Sequence, residues 1–96
     1  MLDSLNVSED WTRLQISWSD GSESQLGAQV LRQQARDAGS VRDRLDHGQV
    51  SASPDIKITA LTQVGAAGVN IHFSDGHERA IYPFVYLREL SERFDN

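Results

Sequence analysis

Ninety-six residues suffice for one compact domain and fall short of two, because a domain usually needs on the order of 100 residues to bury a useful core. The chain has no cysteine, which excludes disulfides, thiolate metal sites and cysteine nucleophiles, and its fourteen acids against nine bases give a net charge of −5 that disfavours nucleic acid as a partner. No apolar run approaches the roughly 18 to 20 residues of a membrane span, and Met1-Leu2-Asp3 opens without a basic or apolar leader, so a cytoplasmic location without membrane contact is expected.

Residues 1–10 are polar and turn-forming and read as a frayed end of a single domain, 1–96. From Trp11 the pattern alternates, with Leu14, Ile16 and Trp18 on one side and Arg13, Gln15 and Ser17 on the other, which predicts a half-buried strand over 11–18. Asp20-Gly21 then reads as a two-residue type I′ hairpin loop, returning into a second strand over 22–26. Gln29 to Ala38 is rich in Ala, Leu, Gln and Arg and predicts a first helix, with Gly39 as its C-terminal cap. Residues 39–55 form a long, flexible connection closed by Ser53-Pro54-Asp55, the kind of loop that often carries function.

Ile56 to Val64 returns to alternation, with a phase change near Leu61 that a bulge would explain. Val69, Ile71 and Phe73 mark the next strand, Asp75-Gly76 a second hairpin turn, and His77 to Tyr82 the last strand. Pro83 is suited to the first position of a second helix, where its missing N–H is not needed. Phe84, Leu87, Leu90 and Phe94 share one face of that helix, and Arg88–Glu92 is spaced as an i,i+4 pair. The hexapeptide Ile16-Ser17-Trp18-Ser19-Asp20-Gly21 recurs as Ile71-His72-Phe73-Ser74-Asp75-Gly76, and each copy is followed by a helix bearing Leu-Arg (Leu31-Arg32, Leu87-Arg88). The expected fold is therefore α+β and two-layered: about five mainly antiparallel strands and two helices, in two pseudo-repeated strand-turn-strand-helix units.

The order and spacing of these pieces, with Pro54-Asp55-Ile56-Lys57-Ile58, His77 and Ile81-Tyr82-Pro83-Phe84-Val85-Tyr86-Leu87-Arg88-Glu89-Leu90, resemble one family from about residue 11 to residue 90. It is similar to the N-terminal domain of gamma-butyrobetaine hydroxylase and its relatives, which also occurs alone as a small bacterial protein of unknown function. The resemblance implies a domain that carries a structural zinc and precedes a catalytic domain using iron and 2-oxoglutarate. That catalytic domain supplies the activity, so hydroxylase activity is not expected here. The family's zinc-binding Cys positions match Ala35, Asp37 and Ser40, and its His matches His77, a set that falls short of the four N or S donors of a structural site. Related domains are also fused to P-loop ATPases with iron–sulfur clusters, which implies an accessory role beside cluster proteins.

Two functional readings result. The first is a non-catalytic interaction module that binds a protein partner, such as an iron–sulfur protein or a separate oxygenase. Its candidate contacts are the basic cluster Arg32, Arg36, Arg42 and Arg44, and the aromatic residues Tyr82 and Tyr86, expected to be partly exposed near the second helix. The other aromatic residues, Trp11 included, read mostly as core. The second reading is a small metal-binding domain in which His77, Asp37 and His47 converge on a divalent ion, zinc being the only cofactor candidate. No catalytic residue stands out: the carboxylates of the two Asp-Gly motifs read as turn chemistry. A monomer is expected, or a weak homodimer through an exposed edge strand.

Overall fold

In the computed structural model the described residues are 2–35 and 52–94. Among them six strands and two helices occur in the order β1 (Leu2–Val7), β2 (Arg13–Trp18), β3 (Glu23–Gly27), α1 (Ala28–Gln33), β4 (Ile58–Val64), β5 (Gly68–Phe73), β6 (Ala80–Pro83) and α2 (Phe84–Phe94). The strands form two three-stranded antiparallel meanders, β1-β2-β3 and β4-β5-β6. The fold is α+β, as the alternation and hairpin signals require. None of the helices among the described residues is long and apolar enough to cross a membrane.

The repeat is larger than the shared hexapeptide, because each unit is three strands followed by a helix. Even its irregularity recurs: the register shifts between Leu2 and Ser4 in β1, and again between Ile58 and Ala60 in β4. Each helix also starts in the same way. The Ala28 N–H donates to the Thr12 carbonyl (2.7 Å) and the Phe84 N–H to the Ala67 carbonyl (2.8 Å), so each helix is seated on the first hairpin of its own unit.

Alternation along the strands sends Leu14, Ile16, Trp18 and Leu26 from one sheet, and Val69, Ile71, Phe73 and Tyr82 from the other, into one continuous cluster with Leu31, Leu87 and Leu90 of the helices. Each such side chain contributes roughly 1.5–3 kcal/mol on burial, so the core rests on both units together. The polar atoms that enter it are matched; the indole N–H of Trp18 donates to Ser24 Oγ at 2.9 Å. Among the described residues no buried side-chain N or O lacks a partner.

Several expectations are corrected. Residues 2–7 are a paired strand rather than a frayed end, since Leu5 and Val7 pack on the core. The bulge lies at the start of β4, not near Leu61. Helix α1 ends at Gln33, and the expected cap at Gly39 lies outside the described residues. Pro83 closes β6 instead of opening α2.

Both Asp-Gly loops have three residues, not two. Trp18 N–H donates to the Ser22 carbonyl (2.9 Å) and Gly21 N–H to the Trp18 carbonyl (3.1 Å); Phe73, Gly76 and His77 repeat the pattern at 3.0 and 3.1 Å. Only the glycines are left-handed, at φ +89° for Gly21 and +87° for Gly76. This is a type I turn followed by a left-handed glycine, whereas type I′ would need positive φ at the Asp as well.

A methyl group at position 21 would meet nothing within 4 Å, so its effect is confined to the backbone. Gly21→Ala is expected to lower unfolding stability by about 1–2 kcal/mol, the penalty of a left-handed L-residue, with an unchanged urea m-value. A loss below measurement error in urea titration would contradict this.

Candidate functional site

The two turn aspartates divide the work of their oxygens identically. Asp20 Oδ1 accepts from the Ser22 N–H (2.9 Å) and the Ser22 hydroxyl (2.5 Å); Asp75 Oδ1 accepts from the His77 N–H (2.9 Å). The second oxygen of each takes an arginine from the helix of the other unit. Arg32 Nε of α1 lies 3.0 Å from Asp75 Oδ2, and Arg88 Nη2 of α2 lies 3.5 Å from Asp20 Oδ2. The Ser22 hydroxyl, then its N–H, and more weakly Arg88 hold Asp20 below the usual carboxylate range. These carboxylates are acceptors in turns and clasps, in keeping with their reading as turn chemistry.

Arg88 is fixed further by Ser22 Oγ (3.0 Å), by Glu92 Oε1 at the expected i,i+4 spacing (3.5 Å), and by the Trp18 ring, whose centroid lies 5.1 Å from the guanidinium carbon. The α1 end is held by tyrosines. Tyr82 donates its hydroxyl to the Leu31 carbonyl and Tyr86 to the Gln34 carbonyl (2.6 Å), so two carbonyls at the helix C-terminus find partners in the second unit. The two rings stack at 6.2 Å. Tyr82 and Tyr86 are 1% and 5% exposed, which corrects the expectation that they are partly exposed: their polar tips are satisfied inside the protein.

Of the remaining expected site residues, Arg32 is 14% exposed in its clasp with Asp75. His77 follows that aspartate and is half-buried, its ring 6.4 Å from Phe73. Arg36, Arg42, Arg44, Asp37 and His47 lie outside the described residues, as does most of the 39–55 connection. Among the described residues no group of three His, Cys, Asp or Glu side chains could hold a metal ion.

Sequence reasoning missed Trp11. It was expected to open a strand and enter the core, yet it is 52% exposed at the β1–β2 turn and has φ +66°, the one left-handed residue other than glycine among the described residues. The turn is built around Asp10, whose Oδ1 accepts from the Ser8 hydroxyl (2.7 Å), the Thr12 hydroxyl (2.7 Å) and the Thr12 N–H (3.1 Å). The Thr12 hydroxyl, then that of Ser8, then the Thr12 N–H hold the Asp10 carboxyl at about 2. The Trp11 carbonyl accepts from the Ile58 N–H (2.7 Å), joining the turn to β4. The indole lines a shallow cleft of about 250 Å³ with Lys57, Ile58, Thr59 and Ser74. The available signal was Ser8-Glu9-Asp10-Trp11-Thr12, in which Asp10 has hydroxyl residues two positions away on each side.

The architecture defines a class: a two-unit α+β domain of paired three-stranded meanders, clasped through reciprocal Arg–Asp pairs. The sequence pattern of the family described as gamma-butyrobetaine hydroxylase-like, N-terminal, matches residues 5–88, and the chain belongs to that family. None of the curated proteins compared with the chain matches it. Among solved structures, the crystal structure of a DUF971-family protein of unknown function from Acidithiobacillus ferrooxidans is similar. It has 25% identity and a TM-score of 0.72, with 94% of this chain and 91% of that one covered. A protein solved by NMR shares the fold at 24% identity and a TM-score of 0.74, over 96% of this chain and 69% of that one. A second NMR structure does so at 17% and 0.70, over 97% and 73%.

A double-mutant cycle on Arg32→Ala and Asp75→Ala is expected to give a coupling of roughly 0.5–1 kcal/mol, since one partner is largely shielded and the other is not. The Arg88–Asp20 cycle should give less, both side chains being more exposed. Asp10 has a folded-state pKa below its unfolded value near 3.9, so its stabilising effect is present above about pH 4 and is lost as pH falls toward 2. In a carboxyl-carbon NMR titration Asp10 should titrate near 2, and Thr12→Val should move it back toward the usual carboxylate range. Retention of the low value would remove the hydroxyl as its cause.

Proposed function

We propose that the chain is a non-catalytic protein-binding module and that Trp11 anchors its partner. The observation that supports this is a large aromatic side chain held half in water by a backbone conformation that disfavours it. A left-handed L-residue costs roughly 1–2 kcal/mol, and such strain persists where surrounding bonds enforce it, often at functional positions. The Asp10 bonds enforce it here. A tryptophan on a fixed turn backbone beside a small cleft is the kind of side chain that supplies most of the energy of a protein interface.

The partner class follows from kinship. Membership of a family described by the N-terminal part of hydroxylase-like proteins supports an accessory position beside a separately encoded oxygenase. The wider association of related domains with cluster-carrying ATPases supports an iron–sulfur protein as the other partner. Because binding rests on Trp11 and not on a metal, added zinc or chelator should leave the thermal midpoint unchanged. A midpoint that climbs with zinc concentration would instead favour a metal site centred on His77.

Trp11→Gly relieves the strained backbone and removes the anchor together. Its stability should stay within about 1 kcal/mol of the parent, because the lost contacts and the relieved strain oppose each other. Affinity capture from the native cell should recover an identified iron–sulfur protein or oxygenase with the parent and at least about tenfold less with the variant. Equal recovery would refute Trp11 as the anchor. Absence of any specific partner with the parent would refute the module reading.

A further inference from the structure

The repeat supplies its own comparison for the solvent-facing sides of the two sheets, because residues paired across strands project to the same face. On the first sheet the row Asn6–Gln15–Gln25 is amide throughout, and Arg13 and Glu23 lie on the same face. The corresponding rows of the second sheet are Thr62–Asn70–Ile81 and Val64–Gly68–Pro83. Gln25 is thus replaced by Ile81, and Arg13 by Gly68. Ile81 and Val64 are 49% and 41% exposed. A Cβ at Gly68 would sit 3.6 Å from Ile81 Cγ2 and 3.3 Å from the Val64 carbonyl oxygen, so this edge of the face is low as well as apolar.

Charge follows the same division. Residues 56–74, which include β4 and β5, contain no Asp or Glu, although the chain carries fourteen and has a net charge of −5. Two copies of an acidic chain repel one another, and the strands of this face, β4, β5 and β6, add no carboxylate to that repulsion, the nearest in sequence being Glu78 in the connection before β6. We infer that the chain self-associates through the outer face of its second sheet, two copies packing sheet to sheet about a two-fold axis with Ile81 and Val64 at the centre. Isologous contact of this kind is closed, so association stops at the dimer.

The area sets the strength. Three strands about 4.8 Å apart and seven, six and four residues long present only a few hundred Å² per copy. That is well below the roughly 800 Å² per partner of a stable complex, so the dimer forms and dissociates readily, with a Kd in the high micromolar range. Trp11 lies beside the opposite end of β4 and stays accessible in the dimer, which therefore presents two copies of the anchor.

Sedimentation velocity on the full chain, from about 10 µM to about 1 mM, should show the weight-average mass rising toward twice the monomer. Ile81→Lys should hold the chain monomeric throughout this range, even though the added positive charge lowers the net repulsion between copies. Gln25→Lys, the same change at the equivalent position of the first sheet, should leave the rise intact, as should Trp11→Gly. In parallel, an amide NMR dilution series of the parent should move the Asn70 and Ile81 signals and leave those of Gln15 and Gln25 in place. The inference is overturned if the parent is monomeric at the highest concentration, if Ile81→Lys still dimerises, if both lysine variants lose the dimer alike, or if the first-sheet signals move instead. Because the parent reports by NMR as well, a misfolded variant leaves the surface assignment open to refutation.

Discussion

The structure depends on a reciprocal exchange between its halves. The arginine of α1 clasps the aspartate of the second hairpin, and the arginine of α2 clasps that of the first. Helix α1 has six residues, too few to persist alone in water. It persists because Leu31 and Ala28 are buried in the shared core and because Tyr82 and Tyr86 of the second unit accommodate its free carbonyls. The shorter helix is thus completed by the unit to which it does not belong. The exposed ion pairs add little energy themselves; their contribution is to fix where each helix lies over the other unit's hairpin, while apolar burial supplies the bulk of the stability.

Much of this was legible in the sequence. Period-two alternation located β2, β4 and β5, the Asp-Gly turns placed β3 and β6 after them, and the spacing of Phe84, Leu87 and Leu90 located the buried side of α2, because those signals come from the same burial and turn chemistry that form the elements. β1 was hidden by its own bulge: Leu2, Leu5 and Val7 do not alternate in sequence, although pairing returns all three to the core side. The loop length at Asp-Gly was misjudged because the dipeptide suits both hairpin types, and only the hydrogen-bond register distinguishes them. Tyr82 and Tyr86 looked like surface anchors because tyrosine suits both interfaces and cores. Their acceptors lie about fifty positions earlier in the chain, beyond the reach of any local pattern.

The candidate site was less legible for a related reason. Arg32 and His77, far apart in sequence, do approach the same hairpin, and the repeated Leu-Arg and Ser-Asp-Gly motifs marked the two elements that meet there. What they did not foretell was the direction of the contact, between units and not within one. Trp11 escaped because its side chain reads as apolar and its position as the start of a strand, while its backbone conformation is set by Asp10, a neighbour that sequence patterns treat as ordinary turn polarity.

In a chain built from two like units, the fold explains the positions that agree and leaves the others to be explained. Ile16 and Ile71, Leu31 and Leu87, and the clasping pairs agree because both halves must close on one core. Where the units differ without any change of strand or helix, the fold has imposed nothing. The turn that follows β4 takes its left-handed residue as Gly65, at φ +63°, without side-chain strain, whereas the turn that follows β1 places Trp11 in that conformation. The outer faces differ in the same way: one is amide and charged, and the other keeps Thr62, Asn70 and His72 but has no acid in its strands and exposes Ile81 and Val64. Neither difference is needed to close the core. Both put apolar surface into water on a small acidic domain.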